Sequence, residues 1–300
     1  GLSGRAFIPL LSSFACAIPG IMASRTISDP RDRLTTIFVA PLMTCSARLP
    51  VYALLIAAFI PAQTVWGFLN LQGLVLFGLY MAGIVSALLV SFVLKFFHKD
   101  KSQHMLLMEL PSCRFPDLKI VWIGLLDRGK IFLKRVGGII FALSIVLWFL
   151  CTFPQPPEGA TLPAIDYSLA GMLGHLMQPI FAPLGFNWQI CIALIPAMAA
   201  REVVVAALGT VYAMSAVDED AMSEGLAALI SGGGYLGWSV ATGLSLLVWF
   251  IYAPHCLATL ATVKRETGSW KTVSIMTVYL FGLAYFMSFL TYQIASYYLG

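Results

Sequence analysis

Among the reactive or charged side chains that this chain carries inside or against apolar segments, seven fall at or near helix-breaking places: Cys16, Cys45, Arg48, Arg201, Glu202, His255 and Cys256. Thiolates and imidazole suit transition metals, and a carboxylate can complete a mixed set of donors. A few mixed ligands also suit an ion that must be released again, which a closed four-cysteine cage does not. Cys16, Cys45 and Cys256 with His255 and Glu202 are therefore candidates for a transient metal-ion site, and Met22, Met43 and Met198 are softer ones. For any one cysteine, packing in a buried helix is as good an account. Charges at membrane depth cost roughly 2.5 to 3.5 kcal/mol on insertion scales, so the arginines need a reason to be there. Neutralising helix C-terminal carbonyls or reaching to an interface is the plainest reason for Arg48 and Arg201, and an ion pair with Arg201 is the plainest for Glu202.

The element that must position Cys45 and Arg48 is unusual. Residues 34–61 are apolar and long enough to cross a bilayer, yet Pro41, Cys45, Arg48 and Pro50 sit near the centre. Proline removes a backbone donor and strains the preceding turn, so this spacing predicts a broken helix, and broken helices at membrane depth line a path or a cavity. The whole chain fits that setting. Its 300 residues are 59% hydrophobic and 11% charged, with a mean hydropathy of +0.87. Soluble domains carry about a quarter charged residues, so the chain reads as an all-α, polytopic helical membrane protein of roughly seven segments in a lipid bilayer. The formal charge of +4 sits beside apolar segments, where it sets orientation or meets headgroups, so nucleic acid is not an expected partner. The six cysteines show no CxxC pair or dense spacing, which argues against a disulfide framework. HExxH, GxxxxGK[ST] and GxSxG are all missing, so no enzyme of those kinds is indicated.

Taken in order, residues 6–24 form a first apolar segment with Pro9, Pro19 and Gly20, and a polar loop leads to the broken segment 34–61. Residues 71–97 predict an uninterrupted span in which Gly83, Ser86 and Ala87 permit close approach by a neighbour. A polar linker over 98–119 precedes an amphipathic stretch over 120–135, expected to lie in the interface, and a span over 136–153. Residues 187–215 are interrupted at Pro196 and Arg201, which predicts a re-entrant pair of half-helices; residues 235–262 break at Pro254-His255, and 273–299 form the last span. Three regions follow: 1–97, 98–135 and 136–300. The nine Lys and Arg between Lys95 and Arg135 place that region in the cytoplasm.

An internal repeat is visible. Ile18-Pro19 through Arg25 can be set beside Ile195-Pro196 through Arg201, and Ala40-Pro41 with Cys45 beside Ala253-Pro254 with Cys256. Transporters carry such Pro-interrupted segments at matching places in two halves, so the fold is expected to hold two pseudo-repeated gate regions with a site between them.

The runs GRAFIPLLSSFACAIPGIMASRTI, PLMTCSARLPVY, AMAAREVVVAALGTVYA and APHCLATLATVKRETGSWK resemble the membrane part of the bacterial ferrous iron transport protein B family, over residues 4–271. The resemblance implies a multi-pass inner-membrane importer of Fe(II) with two related Gate regions. It implies that Cys16, Cys45 and Cys256 line the iron path and that Glu202 is the glutamate of the family's ARE motif. It also implies an N-terminal cytoplasmic GTPase domain, where GTP and Mg would bind, and a helical spacer, both outside this sequence; the family's first membrane helix is expected before Gly1. Small cytoplasmic accessory proteins and a homo-oligomer are further partners that it admits.

The expected mechanism is that Fe(II) enters from outside, is held near the midplane by Cys45 and Cys256 with Cys16, His255 and Glu202, and leaves when the two halves rock. The GTPase domain would bias that motion through residues 95–135. Two rivals are a Gate-type carrier for an organic solute such as a nucleoside, and a non-transporting membrane scaffold. A solute carrier should offer hydrogen-bonding side chains, whereas these breaks offer thiols more than amides.

Overall fold

The computed structural model describes residues 4–60, 63–65, 69–97, 117–154, 167–198, 201, 203–215, 238–254 and 256–299. The chain is all-α, apart from a two-residue antiparallel pairing of Thr64 with Asn70 and Val65 with Leu69. Glu202, His255, the linker 98–116 and the acidic loop 217–231 lie outside the described residues.

The first apolar segment is two short helices, α1 (Phe7–Ser13) and α2 (Ala17–Ala23), packed on one another. Gly20 allows this approach, because a Cβ there would lie 2.0 Å from Ser13 Oγ. Pro9 and Pro19 both fall in the first turn of a helix, where a missing N–H costs nothing, so the break comes between them at Phe14–Cys16. The helix α3 (Pro30–Val39) starts on an Asp29 cap with Pro30 at its first position. It ends in a tight turn over Ala40–Leu42, an extended stretch and a second tight turn over Ser46–Arg48, before α4 (Leu49–Phe59) resumes. The long helix α5 (Leu71–Phe97) closes this half.

Residues Leu118–Thr152 form one helix, α6, so the helix expected in the interface and the span after it are continuous. No proline falls between Asp117 and Phe153, and Gly137-Gly138 alone does not stop a helix. A bend of 100° separates α7 (Leu169–Phe181), extended by a tight turn to Leu184, from α8 (Trp188–Ala197). Then come α9 (Val203–Ser215), α10 (Val240–Tyr252), α11 (Leu257–Thr267) and α12 (Trp270–Leu299). The break expected in 187–215 falls between α8 and α9, two half-length helices in mutual contact.

Among the described residues, the order short helix, break, short helix, helix, break, helix, long helix thus occurs twice, as α1 to α5 and as α8 to α12. Packing follows the same relation: α4 of the first half lies against α9 of the second, and α11 of the second against α2 of the first. The Ala-Pro match of the sequence repeat holds in that Ala40 and Ala253 both stand at the C-terminal end of a helix, although Ala40 leads into a tight turn and Ala253 directly into extended backbone. The Ile-Pro match does not. Pro19 is in the first turn of α2, whereas Pro196 is in the last turn of α8; Arg25 consequently lies at the exposed end of α2 and Arg201 in a buried break.

Among the described residues, Pro30–Phe59, Leu71–Leu94 and Trp270–Tyr298 are long and apolar enough to cross a membrane, and the bent pair makes a fourth. Hydropathy blocks that read as roughly seven segments are therefore partly built from half-length helices. Large apolar side chains such as Phe77, Leu88 and Phe92 on α5 and Val278 on α12 face outward, as a lipid-facing surface requires. The core lies inside, around Tyr52, Leu55, Ile190, Leu208, Leu246 and Phe250. Ser245 of α10 and Ser288 of α12 each donate to the other's carbonyl, at 3.2 and 3.0 Å, fastening two helices without an unmatched polar group.

Candidate functional site: four helix breaks joined at Arg201

Several helices in this protein begin on a side chain that accepts a backbone N–H, whereas α1 and α4 do not. Asp29, Ser168, Asn187 and Ser239 all accept one, as short polar residues at this position should. Cys16, Cys45 and Cys256 occupy the same position at the starts of α2, the turn leading into α4, and α11, each in extended backbone and each without that side-chain bond. Cys16 and Cys256 therefore stand at the positive ends of α2 and α11, and Cys45 opens a three-residue turn, none of them serving as a side-chain cap. These three cysteines are half-buried, whereas Cys151 and Cys191 are buried in packing; none of the five forms a disulfide.

Arg48 is fully buried and explains how the first break is held open. Its Nη2 donates to Pro41 O at 3.0 Å, and Nη1 reaches Met43 O at 3.3 Å and Leu42 O at 3.4 Å. These are carbonyls that the interrupted helix leaves without partners, and a planar guanidinium can serve several at once. On the far side, Gly83 of α5 lets the break approach. A Cβ at Gly83 would lie 2.7 Å from Thr44 Oγ1 and 3.3 Å from Leu42 O.

The breaks meet through two residues. Ser46 donates its N–H to Phe14 O at 3.2 Å and its hydroxyl to Ala15 O at 3.0 Å, joining the Cys45 break to the Cys16 break. Arg201, in the break between α8 and α9, donates Nη1 to Cys45 Sγ at 3.7 Å and Nη2 to Ala253 O at 3.2 Å. Ala253 is the residue that follows α10 and caps its C-terminal end, three positions before Cys256. One guanidinium thus bridges a thiol of the first half and a helix-end carbonyl of the second. Around it lie four buried polar atoms with no hydrogen-bond partner among the described residues: Thr44 Oγ1, Arg48 Nε, Tyr52 OH and Arg201 Nε.

The structure accordingly brings the Cys16 and Cys45 breaks together and ties Cys45 to the strand of backbone that carries Cys256. Among the described residues no three His, Cys, Asp or Glu side chains come together so as to hold a metal ion. Of the softer candidates, Met22 faces outward, Met43 is buried inside the Cys45 break, and Met198 ends α8. Sequence reasoning did not find Ser46, Thr44 or Tyr52. Ser46 had the signal of following Cys45 directly, and Tyr52 that of lying four residues after Arg48 on one helical face; Thr44 had none beyond its place in the break.

Helices broken in pairs, cysteines at the breaks and a second half that repeats the first define a Gate-type, multi-pass helical membrane protein. The profile described as Gate, nucleoside recognition, matches residues 1–59 and 133–270, and that of the ferrous iron transport protein B C terminus matches residues 76–128. The chain belongs to the ferrous iron transport protein B family, matching its membrane region. It is 40% identical over 306 residues to the Fe(2+) transporter FeoB of Leptospira interrogans serovar copenhageni, covering 98% of this chain and 43% of that protein. A fusion of Fe(2+) transport protein A with Fe(2+) transporter FeoB in Porphyromonas gingivalis is 36% identical, covering 98% and 38%, and the Fe(2+) transporter FeoB of Staphylococcus aureus MSSA476 is 35% identical, covering 98% and 41%. The chain thus spans less than half the length of these relatives. No solved structure matches it.

Proposed function

We propose that this chain is the membrane-embedded core of a bacterial inner-membrane Fe(II) uptake transporter linked to a GTPase domain. Cys16, Cys45 and Cys256, with Glu202 and His255, line its ion path. The observation that carries the reading is that three cysteines stand at uncapped helix starts in breaks tied together by Ser46 and Arg201. Thiols offer Fe(II) soft ligands, and backbone freed at the breaks offers oxygens that replace its water. Entry from outside, holding near the midplane and release by rocking of the halves fit a molecule whose halves pack on one another through α4 with α9 and α2 with α11. The basic region 95–135 is the surface through which the GTPase domain would act. GTP and Mg belong to that domain, and small cytoplasmic proteins of the kind fused to the Porphyromonas relative are its candidate partners.

In the full-length protein, Cys45→Ala combined with Cys256→Ala should lower radioactive Fe(II) uptake by tenfold or more at unchanged expression; undiminished uptake would remove the thiol path. The description of the Gate profile supports a second reading, nucleoside transport. Proteoliposomes of the full-length protein separate the two: the iron reading requires Fe(II) flux without nucleoside flux.

A further inference from the structure

Arg201 stands where a cation would have to stand. Its two terminal nitrogens hold Cys45 Sγ and Ala253 O, one soft donor and one hard donor from opposite halves of the molecule. Both atoms are of the kinds that ligate a transition metal at a broken helix. The side chain is buried, with 7% of the residue exposed, and its Nε has no partner among the described residues. The buried guanidinium of Arg48 lies within electrostatic reach of it. A divalent cation at Cys45 would face strong repulsion from the guanidinium already there, because like charges repel hardest where little water screens them.

We propose that Arg201 is a built-in competitor for the transported ion: the guanidinium occupies the cation position in the empty protein, and Fe(II) must displace it to reach Cys45 Sγ and Ala253 O. The inference rests on the reading of Cys45 as part of the ion path. Displacement also exchanges the link: the same guanidinium is the bond between the Cys45 break and the end of α10, so an arriving ion takes over that link from a side chain. Arg201 is a positioning residue in this scheme, since it touches the donors and not the ion.

A competitor lowers apparent affinity by the fraction of sites that it occupies, so its removal must tighten ion binding, the reverse of what loss of a merely structural arginine would do. The test uses the full-length protein in detergent under anaerobic conditions. Alkylation of Cys45 by N-ethylmaleimide is followed by peptide mass spectrometry, with and without Fe(II). In Arg201→Gln, Fe(II) should protect Cys45 with a half-saturating concentration tenfold or more below wild type. Arg201→Lys, which keeps the charge but can reach one acceptor at a time, should fall between the two, and it serves alone if the Gln variant fails to fold. Protection by Fe(II) with an unchanged or higher half-saturating concentration would overturn the exchange while leaving the ion path standing. Absence of protection in every form, wild type included, would overturn the ion-path reading and the exchange with it.

Discussion

Arg48 and Arg201 show how one residue type serves two ends. Arg48 spends its donors on carbonyls five to seven positions before it, within its own break. Arg201 reaches 156 positions back to Cys45 and 52 forward to Ala253. The first arrangement is local and was readable, since an arginine just after an interrupted helix has carbonyls to neutralise. The second depends on how distant segments fold together. Removal of Arg48 should be costly: Arg48→Met leaves buried carbonyls unpaired, and thermal unfolding in detergent should register a loss on the order of 2–3 kcal/mol. Arg48→Lys should recover only part of it, because an ammonium lacks the planar fork that meets several carbonyls together.

At the scale of elements, the breaks are set less by the prolines themselves than by where each proline falls in its helix. Pro9, Pro19, Pro30 and Pro50 stand in first turns and open helices, so the prolines of the first apolar segment did not by themselves say where it breaks. The run from Leu118 to Thr152 stayed helical because a change in charge pattern is not a change in backbone preference. The Cys45 break is also pressed from outside by α5. Gly83→Val should push Thr44 and Leu42 away, destabilise the protein by about 1–3 kcal/mol as overpacked sites do, and depress Fe(II) uptake by the full-length protein. Gly78→Val on the same helix, where a Cβ would meet nothing within 4 Å, is the control and should leave both readouts near wild type.

Across the whole molecule, the halves are fastened at a second level, where the ends of α2 and α11 meet the start of α3. Arg25, just after α2, holds the Glu266 carboxylate with two nitrogens, Nε at 2.8 Å, and Arg33 of α3 adds Nη2 at 3.0 Å. The Glu266 side chain is only 2% exposed, near the end of α11. The hydrogen bond from Arg25 is the main cause that holds its carboxyl below the ordinary value of 4.5, against the opposing effect of burial and with help from the charges of both arginines. A carboxyl whose pKa falls on folding stabilises the fold fully above its unfolded value and loses that contribution as pH drops through the folded one. The melting temperature in detergent should therefore hold its Glu266 contribution from neutral pH down to about 5 and lose it below about 4.5. Glu266→Gln should melt about 2–5 °C lower at pH 7 and lack this acid-sensitive component. A variant with the wild-type pH profile would show that the triad does not fasten the halves.

The sequence by itself determined the class of molecule, the broken segment at Pro41 to Pro50, the match of Ala40-Pro41 to Ala253-Pro254, and which residues were chemically worth watching. Those features are local: hydropathy, backbone donors lost to proline, and donor atoms on single side chains can all be read along a chain. Only the tertiary structure decided that the Cys16 and Cys45 breaks share Ser46, that Cys45 and Ala253 share one guanidinium, and that Arg25 and Arg201 are not counterparts despite their matching motifs. Such relations are set by the packing of α4 on α9 and of α11 on α2 across the two halves. Contacts between residues more than a hundred positions apart leave no periodicity in one sequence, because packing geometry and not local preference selects them.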